Sequence, residues 1–97
     1  DLVDFIDTAL NNQSSPYELF NVGLGEGIKI KDLVSKIISH SGKKLKMVHD
    51  LSKPTVPTSL FLDCSKAKEL LNWEPKHTLD EGIHKTLNWY VNNLTQI

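Results

Sequence analysis

A single cysteine, Cys64, leaves this 97-residue chain no internal disulfide and fits a reducing compartment such as the cytosol. Net charge is also scarce. Eleven lysines and arginines against 12 acidic residues give a formal charge of −1, too little to draw nucleic acid or an acidic membrane. No apolar run approaches the ~20 residues of a membrane span, and no signal-peptide pattern is present. Internal repeats and low-complexity tracts are missing as well. The histidines, His40, His49, His77 and His84, contain no pair at i and i+4. With no second cysteine, they fall short of the three or four close ligands that zinc requires. No local context suggests a Ser-His-Asp set.

What remains is an ordinary globular composition, 39% apolar and 24% charged, in a length that makes one small domain with room for a core. Leu2, Val3, Ile6, Ala9 and Leu10 recur at helical spacing and predict a first helix over 1–10, with Asp1, Asp4 and Asp7 on another side. Carboxylates in that first turn suit the helix dipole. Because the chain opens on Asp1 straight into this run, it is expected to start inside or at the edge of a larger protein's helix. Residues 11–16 are turn formers, and 17–22 have strand propensity. A second helix is predicted over 30–41 from the stripe Ile30, Leu33, Val34, Ile37 and Ile38, stopped by Gly42. Residues 45–49 read as a second strand. Pro54 and Pro57 make 50–59 irregular, and 60–62 read as a short third strand.

Asp63 can cap a third helix through Ala67, Leu70 and Leu71. Thr78-Leu79-Asp80-Glu81 is a capping box that opens a fourth. Leu79, Ile83, Leu87, Tyr90, Val91 and Leu94 are its expected buried stripe. The alternation of helices and strands predicts an α/β fold, with a small sheet of two to three strands and about four helices.

Several features invite a chemical reading and have a plainer one. Gly23, Gly25 and Gly27 lie between a predicted strand and a helix, where amides could cradle phosphate. Their spacing is not the dinucleotide fingerprint, and Glu26 would repel an anion, so a structural turn is expected. Lys29 stands at the opening of the second helix and offers no acceptor oxygen for a cap. Lys29 and Lys31 also put positive charge at the positive end of the dipole, which makes a poor cap. Cys64 reads as a small buried residue and not a nucleophile. Trp73 and Trp89 read as core, since tryptophan supplies large apolar area.

Read together, Phe20-Asn21-Val22-Gly23-Leu24-Gly25-Glu26-Gly27, Lys53-Pro54, Leu62-Asp63-Cys64-Ser65-Lys66-Ala67 and Leu70-Leu71-Asn72-Trp73-Glu74-Pro75 resemble the tail of NAD(P)-dependent nucleotide-sugar epimerases, dehydratases and reductases. These are enzymes of the extended short-chain dehydrogenase type. The resemblance runs from Asp1-Leu2-Val3 to Trp89-Tyr90. It implies that residues 1–97 are a carboxy-terminal substrate-binding lobe, detached from its Rossmann domain. In the family the loop before the Asp-x-Ser-Lys-Ala helix lines the nucleoside diphosphate of a nucleotide sugar. By that likeness Lys53, ten residues before Asp63, meets the diphosphate, with Pro54, Thr58 and Ser59 as further substrate-binding residues. A cation there offsets phosphate charge, without arginine's bidentate fork.

Within the family, Lys53-Pro54 followed by Leu62-Asp63 looks most like the GDP-L-fucose synthases. Thr58-Ser59-Leu60 stands where those carry basic residues, and Val56 where UDP-sugar epimerases carry an acid. The family's Tyr-x-x-x-Lys pair, which makes a cation-stabilised phenolate base, has no counterpart: Asn21 and Leu94 stand four places after Tyr17 and Tyr90. The implied parent is an NAD- or NADP-dependent cytoplasmic enzyme. This piece is expected to be non-catalytic, to hold no cofactor, to pair with its own Rossmann domain and to self-associate alone. The alternative is a free-standing α/β interaction or regulatory domain.

Overall fold

The structure is a computed structural model and describes residues 1–94. Its elements are α1 (Leu2–Asn12), α2 (Ile30–Ser41), α3 (Ser65–Leu71) and α4 (Leu79–Asn92). All four fall where apolar periodicity and punctuation predict them. The α/β expectation is overturned: among the described residues there is no strand, and the fold is all-helical. Residues 17–22 do keep the alternation of a strand, with Glu18, Phe20 and Val22 half-buried and Tyr17, Leu19 and Asn21 exposed. Alternation alone does not make a sheet, because a strand exists through ladder bonds to a neighbour. Here side chains do the joining instead. Lys66 Nζ donates to the Leu19 carbonyl at 2.9 Å, and Asn21 Nδ2 donates to the Asp63 carbonyl at 3.3 Å. In 45–49 only Met47 is half-buried, and 60–62 is exposed throughout.

The chain divides into two compact units. The first comprises Asp1–Gly27 and Ser59–Thr78 and contains the core of Phe5, Ala9, Ala67 and Trp73, flanked by Phe20, Val22 and Leu71. Phe5 meets Phe20 and Trp73 edge-on, with ring centroids 5.5 and 5.1 Å away, a geometry favoured by the ring quadrupole. Ala67, only 1% exposed, sits at the close approach of α3 to α1. Asn72 takes the left-handed conformation at φ 50° and ends α3. Its amide and that of Trp73 then bond the Lys68 and Ala67 carbonyls, and the reversal turns Trp73 back into the core.

The second unit comprises Ile28–Thr58 and the chain from Leu79 on. It pairs α2 with α4. Gly42, left-handed at φ 65°, terminates α2. Ile83 is the buried apolar side chain of α4, and α2 has none fully buried. The expected stripe of α4 is therefore only partly right: Leu79 and Leu87 are half-buried, while Tyr90, Val91 and Leu94 are exposed. Trp89 is also corrected, being 59% exposed. An apolar helix face is buried only where another element covers it, and burial on α4 ends at Leu87.

Candidate functional site

The loop that carries the predicted substrate-binding residues starts from a local turn. Asp50 accepts hydrogen bonds from the Ser52 hydroxyl at 2.6 Å and the Ser52 amide at 3.0 Å. These bonds hold its carboxyl below the usual carboxylate range. The Lys53 amide then donates to the Asp50 carbonyl at 3.4 Å. From Lys53 onward Pro54 and Pro57 withhold amide donors, and the backbone runs without regular structure to Asp63. Lys53, Pro54, Thr58 and Ser59 are all exposed. Lys53, Pro54 and Thr58 belong to the second unit, and Ser59 opens the later stretch of the first. No hydrogen bond or ion pair joins these four side chains to one another or occupies the Lys53 ammonium among the described residues. The loop presents a cation and two hydroxyls to solvent.

Downstream, the first unit holds the chain firmly. Asp63 Oδ1 accepts the Ser65 amide at 3.0 Å, which lowers its pKa. The cap position itself is Cys64, without a side-chain bond, so the helix-opening oxygen comes from one residue earlier. Lys66, in the first turn of α3, pairs with Glu18 at 2.7 Å and lies 5.2 Å from the Phe20 ring centroid. Cys64 is half-buried, and its thiol faces the Leu62 carbonyl at 3.6 Å.

The glycine-rich turn does not fit a dinucleotide. A Cβ on Gly27 would lie 3.1 Å from Phe61 Cδ1, and one on Gly23 would lie 3.7 Å from Cys64 Sγ. Phe61 of the same unit crowds the approach at Gly27, and Glu26 adds a negative charge. Lys29 is the N-cap of α2 and makes no side-chain cap bond, the poor cap expected. Nothing in this turn supports a step through NAD(P).

Two polar clusters were not legible as such. In the first unit Asp4 Oδ2 accepts from the Trp73 indole at 2.9 Å and Oδ1 from Lys76 at 3.0 Å. The indole hydrogen bond, with that of Lys76 second, holds the Asp4 carboxyl below its usual range. Asp1 receives the His77 amide at 3.1 Å and faces its ring nitrogen at 2.7 Å. Read in one dimension, these carboxylates only match a helix dipole. Their partners lie more than 65 residues away, and no local signal marks them. In the second unit Asp80 meets Lys36 at 2.6 Å and His40 at 2.9 Å, which lowers its carboxyl pKa. The His84 ring lies 6.2 Å from His40. Among the described residues no group of three metal-ligating side chains comes together, and no helix is long and apolar enough to cross a membrane.

Comparison with known proteins gives this chain a family. The chain is 37% identical over 87 residues to putative GDP-L-fucose synthase 2 of Arabidopsis thaliana, which covers 90% of this chain and 26% of that protein. It is 36% identical over 94 residues to probable GDP-L-fucose synthase 1 of Oryza sativa subsp. japonica, covering 97% and 28%. It is 37% identical over 83 residues to UDP-glucuronate 4-epimerase of Thermodesulfobacterium geofontis, covering 84% and 25%. The chain belongs to the NAD-dependent epimerase/dehydratase family, and it spans about a quarter of the length of these curated relatives. No family model matches it, and no solved structure does.

Proposed function

We propose that this chain is the carboxy-terminal, substrate-gripping part of an NAD(P)-dependent nucleotide-sugar epimerase, dehydratase or reductase of the GDP-L-fucose synthase kind. In this reading the parent is a cytoplasmic isomerase or oxidoreductase. The observation that carries it is similarity across nearly the whole chain to enzymes named for GDP- and UDP-sugars. The exposed loop supports it: the Lys53 ammonium has no partner among the described residues, and the family resemblance sets it at the diphosphate together with Pro54, Thr58 and Ser59, all exposed. Lys53 offsets phosphate charge, the hydroxyls of Thr58 and Ser59 accept or donate at the phosphate oxygens, and Pro54 limits the loop's freedom before binding.

NAD or NADP sits in the parent's Rossmann domain, the partner of this lobe, which itself contributes no redox group. The exposed apolar stripe of α1, formed by Leu2, Val3, Ile6 and Leu10, supports both the domain partner and self-association of the isolated piece. Lys53→Ala in the full-length polypeptide tests the reading by titration calorimetry with GDP and UDP. Loss of one charge-assisted contact predicts a fall of about 1.5–3 kcal/mol, roughly ten- to a hundredfold in affinity, that shrinks as salt rises. Equal affinities at low salt would reject it. The coding frame upstream of Asp1 separates this reading from a free-standing interaction domain. A glycine-rich strand-turn-helix and Tyr-x-x-x-Lys there support the enzyme.

A further inference from the structure

The glycine-rich turn holds no phosphate in this reading, yet its glycines do specific work. Gly25 has φ 73° with open space where a Cβ would stand, so it serves the turn itself. Gly27 and Gly23 do something else. Each presents bare backbone to one residue of the stretch that follows the ligand loop. Phe61 lies against Gly27, where a Cβ would come within 3.1 Å of its ring, and Cys64 Sγ lies against Gly23 at 3.7 Å on the same measure. Between those two points Asn21 Nδ2 donates to the Asp63 carbonyl at 3.3 Å. Asp63 is held again through its carboxylate by the Ser65 amide. All of these residues lie in one compact unit, which begins its later stretch at Ser59.

We propose that Asn21, Gly23 and Gly27 form a seat for residues 61–64, and that Asn21 is thereby a positioning residue for nucleoside-diphosphate binding by the 53–59 loop. This rests on the function proposed above. The physical reason is preorganisation. A loop with its downstream end already fixed loses less conformational freedom when it closes on a ligand, and the saving appears as affinity. Asn21 touches no ligand; it acts through the Asp63 backbone. The seat also explains why the turn spends glycine at 27, where φ is not positive and a Cβ would crowd the Phe61 ring.

Cys64 is the native reporter of the seat. In the full-length polypeptide, Asn21→Leu removes the amide donor at similar size, and Gly27→Val pushes Phe61 away. Alkylation of Cys64 by N-ethylmaleimide, followed on its own peptide by mass spectrometry without ligand, should quicken about two- to tenfold in each variant. Affinity for GDP or UDP should fall by a similar factor while the thermal midpoint holds. Asn21→Gln, which keeps a donor, should lie between wild type and Asn21→Leu. An unchanged Cys64 rate in both variants overturns the seat. A faster rate with unchanged affinity overturns the positioning role. A wild-type protein that binds neither GDP nor UDP rejects the functional reading and takes the positioning role with it. The Cys64 rate still reports on the seat independently.

Discussion

At the scale of single residues, Asp4 and Lys29 show opposite uses of helix-end charge. Asp4 serves the α1 dipole and also accepts from Trp73 and Lys76. Those hydrogen bonds place its folded pKa below its unfolded one. The stabilisation is therefore complete above the ordinary carboxylate range and is lost as pH falls through the folded value. An acid titration followed by tryptophan fluorescence should show a loss of structure below about pH 4. Asp4→Asn should flatten that limb, and superimposable acid limbs would count against the linkage. Lys29, in contrast, puts a cation and no acceptor at the start of α2, although the first-turn residue Asp32 is well placed. Lys29→Ser supplies the missing oxygen ahead of Ile30 and should stabilise the fold by roughly 0.5–2 kcal/mol. A urea melt with unchanged slope and no rise in midpoint would rule this out.

At the scale of elements, α1 and α4 separate what periodicity shows from what packing adds. On α1, Phe5 and Ala9 are buried while Leu2, Val3, Ile6 and Leu10 are exposed, Leu10 at 76%. Phe5 lies on the same helix yet is only 6% exposed. It belongs to the core, because Phe20 and Trp73 close on it from distant parts of the chain. The exposed stripe remains, and the isolated chain should self-associate through it. Val3→Lys with Leu10→Lys should shift sedimentation toward the monomer. Stability should move by no more than about 0.5 kcal/mol, since both side chains are already in water. A wild-type chain that sediments as a monomer at high concentration would exclude the contact. The two tryptophans make a second comparison. Trp73, 6% exposed in the core, should cost roughly 3–5 kcal/mol when replaced by alanine. Trp89→Ala should cost about 0.5 kcal/mol or less. Chemical melts of both variants check the pair, and equal losses would mean that Trp89 is covered after all.

For the molecule as a whole, chemistry is expected to lie outside these 97 residues. The sequence contains no Tyr-x-x-x-Lys pair and no dinucleotide fingerprint. In its glycine turn Phe61 lies against Gly27. Incubated with NADH or NADPH and a panel of nucleotide sugars, this chain should leave nicotinamide absorbance unchanged. Turnover that persists through re-purification would overturn the proposed division of labour between a gripping lobe and a cofactor domain.

The sequence by itself determined where helices run, because 3.6-residue periodicity and end signals such as Gly42 are local properties of the chain. It also determined the order of motifs that ties the chain to its family, and the loop on which Lys53, Pro54, Thr58 and Ser59 sit. Tertiary structure alone decided the rest. Residues 17–22 have the alternation of a strand yet form none, since a ladder needs a second backbone in register and local propensity cannot supply one. Trp73 and Trp89 are alike as residues, and only the reversal at Asn72 sends the first into the core. The same holds for Asp4, whose indole partner is 69 positions away, and for Gly27, whose missing Cβ matters only because Phe61 returns to lie against it. Long-range contacts of this kind depend on how elements pack, and packing is a property of the folded chain.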